Sequence, residues 1–149
     1  MVRLNCESLC AVTRMVLPYM PHNSRIIQFA SAAAFLPQPD FAVYAATKSF
    51  VLSYSRALGE ELRDRDIYVT AVCPGPVKTE FFDLAETTGQ IPLYKRLVMA
   101  NSRHVVRKAL NDSILGRPVS VYGLTMKAFR LLSKIAPHSL LLSIMRKLS

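Results

Sequence analysis

The chain has 149 residues, a single domain's length, and its 51% hydrophobic content supplies a real core, which excludes a disordered polymer. No apolar run reaches the ~18 residues of a spanning helix, and the opening MVRLNCES has no apolar h-region with a small-residue cleavage site, so no signal peptide is expected. The net charge of +9 is uneven: residues 1–91 carry eight Lys/Arg and nine Asp/Glu, whereas residues 92–149 carry eleven Lys/Arg and one acid, Asp112.

Taken in order, residues 4–20 are expected to be helical, with an apolar stripe of Leu4, Leu9, Val12, Met15 and Val16, closed by Pro18 and Pro21. Residues 25–31 are short and mostly apolar, which suits a strand covered on both faces. After a loop with Pro37 and Pro39, residues 42–63 form the strongest helical pattern, with Tyr44, Lys48, Val51, Ser55, Leu58 and Leu62 on one face. Residues 67–73 are a second buried strand, rich in β-branched side chains and ended by Pro74-Gly75-Pro76. A short helix is expected over 79–86, and another over 102–115 with Ser102 as N-cap and Gly116 as the stop. Residues 118–122 read as a third strand, and 124–136 and 138–148 as two apolar-basic helices split by Pro137. Strands alternating with helices imply right-handed crossovers and a parallel sheet, hence an α/β fold. Ligands on such sheets sit at the carboxyl ends of the strands. Ser31 and the segment Pro74–Thr79 lie at those ends.

Tyr44 and Lys48 are spaced i, i+4 on one helix face. A neighbouring ammonium stabilises a phenolate, which lets a tyrosine exchange a proton with a carbonyl or alcohol oxygen near neutral pH. Ser31, thirteen residues earlier, can hold the same oxygen through its hydroxyl. The spacing alone is weak, because a solvated lysine beside a half-buried tyrosine gives the same pattern. The Ser offset and the independent Pro74–Thr79 segment outweigh that reading. Asn5, read by itself, is a helix N-cap. The cysteines are Cys6, Cys10 and Cys73. An odd number without a secretory signal points to reduced, core-packing thiols in an intracellular protein, and no metal site can be built around them. The five glycines form neither G-x-G-x-x-G nor G-x-x-x-x-G-K.

Ser31, Y-A-A-T-K (Tyr44 to Lys48) and P-G-P-V-K-T (Pro74 to Thr79) resemble the second half of a short-chain dehydrogenase/reductase, with the resemblance running from about residue 2 to 123. It implies a partial Rossmann-type doubly wound parallel sheet of about three strands, flanking helices and a C-terminal helical extension over 124–149. It implies an NAD(P)-dependent carbonyl/alcohol oxidoreductase that acts on a small molecule. Tyr44 would be the acid/base, Lys48 would assist it and hold the nicotinamide ribose, and Ser31 would orient the substrate carbonyl. Asn5, in R-L-N, would complete a tetrad through a water relay. Pro74, Gly75, Val77 and Thr79 would contact the nicotinamide end of NAD or NADP. The family's glycine-rich loop, its first four strands and its N-N-A-G segment have no counterpart here. The residue that chooses between NAD and NADP is among them, so the choice is open, and residues 25–31 would form an exposed apolar edge prone to self-association or a homo-oligomeric contact. The rival reading is a non-catalytic remnant that serves as an interaction module.

The basic tail suggests an anionic membrane or nucleic acid. Tyr94, Tyr122 and Phe129 are its only aromatics, too few to interleave with the charges, and this argues against nucleic acid. For 124–149 three readings stand: an interfacial helix on a membrane, a basic flap over the substrate pocket, or an ordinary packed helix. The tail also resembles, weakly, the branch that acts on long-chain acyl or steroid ketones. The expected location is the cytoplasm, with peripheral membrane association as one of the readings of this tail.

Overall fold

The computed structural model describes residues 1–78 and 99–148. The chain opens with a π-helical turn, Arg3–Glu7, that runs into α1, Ser8–Val16, and then a 3-10 turn, Leu17–Tyr19. The helix expected over 4–20 is thus three windings in succession. Pro18, which has no N–H to donate, sits where the winding tightens. β1 is Arg25–Phe29, followed by a 3-10 turn at Ala32–Phe35, α2 at Ala42–Glu61 and β2 at Tyr68–Val72. β3, Val77–Lys78, pairs in parallel with β4, Ala100–Asn101. Then come α3, Ser102–Ile114, β5, Val119–Ser120, α4, Leu124–Ile135, and α5, His138–Leu148. The helix expected over 79–86 lies outside the described residues.

The main sheet is parallel, in the order β1-β2-β5, with Arg25 opposite Tyr68, Phe29 opposite Val72, and Ala71 opposite Val119. Successive residues of β2 face opposite ways. Val69 packs with Leu58 of α2 and with Leu62 just beyond its end, whereas Val72 packs with Val105 and Ala109 of α3. The sheet is therefore covered on both faces, a doubly wound arrangement. Both connections step in the same direction across the sheet, yet α2 and α3 lie on opposite sides of it. They cannot share one hand, so the expectation of right-handed crossovers holds for only one of them. The β2-to-β5 path is no plain helical crossover, since it leaves β2 through Pro74-Gly75-Pro76 and forms the β3–β4 pair before α3.

β1 is at the sheet edge and is less covered than expected: Ile26 and Ile27 are half-buried and Phe29 is 57% exposed. Its one fully buried side chain is polar. Gln28 donates from Nε2 to Thr13 Oγ1 (3.2 Å) and accepts at Oε1 from Ser55 Oγ (2.7 Å), joining α1, β1 and α2 in one network. A buried amide with both ends satisfied fixes how these elements meet.

At α3 the cap is Asn101, not Ser102: Asn101 Oδ1 accepts from the Arg103 N–H at 2.9 Å, and Ser102 is already the first helical residue. The stop is as expected, with Gly116 left-handed at φ +65°. Arg25 reaches across from β1 and donates from Nε to Ser113 O (3.1 Å) and from Nη2 to Ile114 O (3.2 Å), satisfying carbonyls that the helix end leaves open.

Candidate active site

The carboxyl ends of β1 and β2 are tied together by one backbone hydrogen bond, Ala32 N–H to Pro74 O at 2.8 Å. The two segments singled out in the sequence are therefore neighbours. Ser31 is extended and caps the 3-10 turn, accepting at Oγ from the Ala33 N–H at 3.1 Å. That bond uses a lone pair and leaves the hydroxyl proton for another acceptor.

Tyr44 and Lys48 stand one turn apart near the start of α2, and the Lys48 Nζ is 5.8 Å from the centre of the Tyr44 ring. Nζ also donates to Phe29 O at 2.8 Å, which anchors the ammonium to the last residue of β1. Burial lowers the Lys48 pKa from its ordinary value, while the thiols of Cys6 and Cys73 pull it the other way. This charge is partly withdrawn from solvent, held by a backbone carbonyl and close to a phenol.

Asn5 is not an N-cap. It lies inside the π turn, and its Nδ2 donates to Thr47 Oγ1 at 3.0 Å. Thr47 Oγ1 in turn donates to Tyr44 O at 2.8 Å. Asn5, Thr47 and the Tyr44 backbone form a short chain that pins the first turn of α2 against the π turn. Thr47, although inside Y-A-A-T-K, is not among the expected site residues, because its partner Asn5 is 42 residues away and no spacing pattern joins the two. π turns concentrate at functional sites, and no residue pattern announces this one.

Asn5 and Lys48 both line an open groove of about 580 Å³ between α1 and the side of β1 that has no strand partner among the described residues. A second cavity of about 220 Å³ lies beyond the Pro74 segment and is lined by Gly75, Tyr122 and Met126 among others. A Cβ on Gly75 would lie 2.5 Å from Met126 Sδ, so glycine is what lets α4 approach the segment. Val77 pairs with Ala100 in β3 and packs on the Val72, Val105 and Ala109 cluster. Thr79 lies outside the described residues. Among the described residues no group of three or more His, Cys, Asp or Glu side chains could hold a metal ion.

The family model described as short chain dehydrogenase matches residues 1–89. A very-long-chain 3-oxoacyl-CoA reductase-B from Danio rerio is 36% identical over 102 residues, which are 67% of this chain and 33% of that protein. A very-long-chain 3-oxoacyl-CoA reductase from Rattus norvegicus is 39% identical over 90 residues, 59% of this chain and 29% of the relative. The chain thus spans about a third of the length of the curated relatives it matches. Among solved structures, a short-chain dehydrogenase from Sphingobium yanoikuyae in complex with NADPH superposes with a TM-score of 0.67 at 26% identity, covering 94% of this chain and 54% of that one. A 7beta-hydroxysteroid dehydrogenase gives a TM-score of 0.72 at 16% identity over 93% of this chain and 54% of the other, a likeness of fold alone. The parallel sheet with helices on both faces and the matching family model lead to one assignment: the chain belongs to the short-chain dehydrogenases, a family of oxidoreductases.

Proposed function

We propose that this chain is the catalytic, carboxyl-terminal part of an NAD(P)-dependent carbonyl/alcohol oxidoreductase, with residues 1–123 in the dinucleotide-binding domain and 124–149 as an extension of it. The observation that carries the proposal is the Tyr44–Lys48 pair, anchored through Nζ to the end of β1 two residues before Ser31. The residues present fit the nicotinamide end of the cofactor. Gly75 lines the smaller cavity, with Met126 Sδ filling the space beside its Cα, and Lys48 presents donors to the larger groove along β1. Lys48 would hold the ribose, and Pro74, Gly75, Val77 and Thr79 would contact the ring end. When bound, the cofactor supplies or accepts the hydride.

The chain's own residues handle the oxygen and its proton. Ser31 donates its free hydroxyl proton to the substrate oxygen and fixes the carbonyl. Tyr44 gives a proton to that oxygen in reduction and takes it back in oxidation. Lys48 offsets the negative charge that the phenol acquires, and Asn5, through Thr47, holds the first turn of α2 in register. The relatives' names make a 3-oxoacyl thioester the first substrate class to try, and Val105 and Met126 give the smaller cavity an apolar lining that suits it.

The test is a full-length enzyme in which the family's glycine-rich amino-terminal half precedes this chain. Tyr44→Phe should lower ketone reduction by about a thousandfold or more, at the upper part of the range for acid/base groups, while leaving dinucleotide binding nearly intact. Lys48→Ala should weaken both. Near-normal turnover in Tyr44→Phe would refute the acid/base assignment and favour a non-catalytic remnant.

A further inference from the structure

Helix α4 is apolar on two opposite faces. Its inner face seats the helix on the body: Met126 packs against the cluster around Val51 and Cys73, the Phe129 ring is 6.3 Å from that of Phe35, and Ser133 is buried. A helix seated in this way ordinarily turns polar residues outward. Here Leu124, Leu131 and Ile135, spaced seven and four apart and so on one line of the helix, are 83%, 59% and 73% exposed. Lys127 and Lys134, a further i, i+7 pair, flank that line on one side and are both exposed. Neither lysine makes an ion pair among the described residues.

The stretch of chain that carries this helix is strongly basic. From residue 99 onward the only acid is Asp112, and it is buried and paired with Lys108 and Arg117. Among the described residues from 99 onward, no side-chain carboxylate is therefore left unpaired. No described helix is long and apolar enough to cross a membrane. A helix of 12 residues is about 18 Å long and can lie along a surface instead.

We propose that the outer face of α4 docks the protein on an anionic lipid surface, with Leu124, Leu131 and Ile135 entering the headgroup and acyl boundary and Lys127 and Lys134 meeting the phosphates. Charge complementarity selects lipid as the occupant. An apolar line edged by two exposed lysines that make no ion pair among the described residues matches a surface that is greasy below and negative above. This assignment stands on α4 alone and does not depend on the catalytic reading.

The experiment is vesicle flotation of the 149-residue chain, which separates lipid-bound protein from self-associated protein because only lipid floats. Vesicles of phosphatidylcholine with phosphatidylserine should bind it about tenfold more tightly than phosphatidylcholine alone. Raising salt from about 0.1 M to about 1 M shortens the screening length from about 10 Å to about 3 Å and should remove that preference. Leu124→Ser, Leu131→Ser and Ile135→Ser together should abolish binding. Lys127→Gln with Lys134→Gln should remove only the preference for phosphatidylserine, and this variant decides the matter if the triple one loses its helical circular dichroism. Equal binding to both vesicles, no binding to either, binding unchanged in both variants, or tighter binding to duplex DNA would overturn the proposal. So would a dimer that the triple variant dissociates, since the stripe would then be a protein contact.

Discussion

Burial pushes the Cys73 thiol up to about 12, against the opposing pull of Arg130, the Ser31 backbone and Lys48. Such a thiol stays protonated and unreactive at neutral pH. Iodoacetamide at about pH 8 should therefore label the half-buried Cys6 and Cys10 in the folded protein and leave Cys73 until denaturant opens the core. Equal labelling rates at all three would contradict the packing described here. Gly75 makes a second prediction at this scale. Gly75→Ala would set a Cβ 2.5 Å from Met126 Sδ. Because Met126 is flexible, the thioether swings aside, and the cost should be about 1–2 kcal/mol. In a Met126→Ala background the same change should be close to neutral, and denaturant titration of the four proteins measures the coupling. Tyr44 and Lys48 were legible from the sequence because the helical period alone puts i and i+4 on one face. Asn5 had two readings, cap or tetrad member, and only the fold brings Thr47 to it.

The elements themselves show why boundaries were harder to read than identities. α2 and α3 were anticipated within two residues at each end, because each has an apolar period and Gly116 stops the second. The β3–β4 pair was not, since two-residue strands have no period to detect. α3 also carries the feature with the clearest pH dependence. Burial raises the Asp112 pKa, but hydrogen bonds from Lys108 and Ser120 and the charges of Lys108 and Arg117 outweigh it, so the net shift is downward. A carboxyl depressed in the folded state adds stability that is fully present above its unfolded value, near ~4, and is lost as pH falls through the folded value. The chain should therefore lose stability below about pH 4 faster than its Asp112→Asn variant does. At neutral pH the same variant should be less stable by about 3 kcal/mol, because it leaves the Lys108 ammonium partly buried without a counter-charge. Thermal melts at the two pH values check both parts. A parallel acid response in the two proteins would show that another group governs acid unfolding.

At the scale of the whole molecule, charge and sheet pull in different directions. The charge division was visible in the sequence, since counting needs no structure. The open side of the sheet was visible only through the resemblance, as no residue in 25–31 marks an edge. β1 pairs on one side with β2 and has no partner on the other among the described residues. The groove along that free side has a volume of about 580 Å³. It is walled by the π turn and α1, where Leu4, Val12 and Val16 are 73%, 59% and 48% exposed. An unpaired backbone edge beside apolar side chains is a template for another strand. In a full-length enzyme the family's amino-terminal strands would cover it. Expressed by itself, residues 1–149 should self-associate, with an apparent mass that rises with concentration in light scattering. Phe29→Lys, which sets a charge on the exposed end of β1, should shift the distribution toward monomer. The same chain should bind NADH and NADPH too weakly for a fluorescence titration to reach saturation. A nicotinamide ring is oriented by binding energy from the rest of the dinucleotide, and the glycine-rich turn that would supply it is not in this sequence. A monomer with micromolar affinity for either nucleotide would refute both expectations, because the half of the sheet described here would then be a sufficient cofactor site.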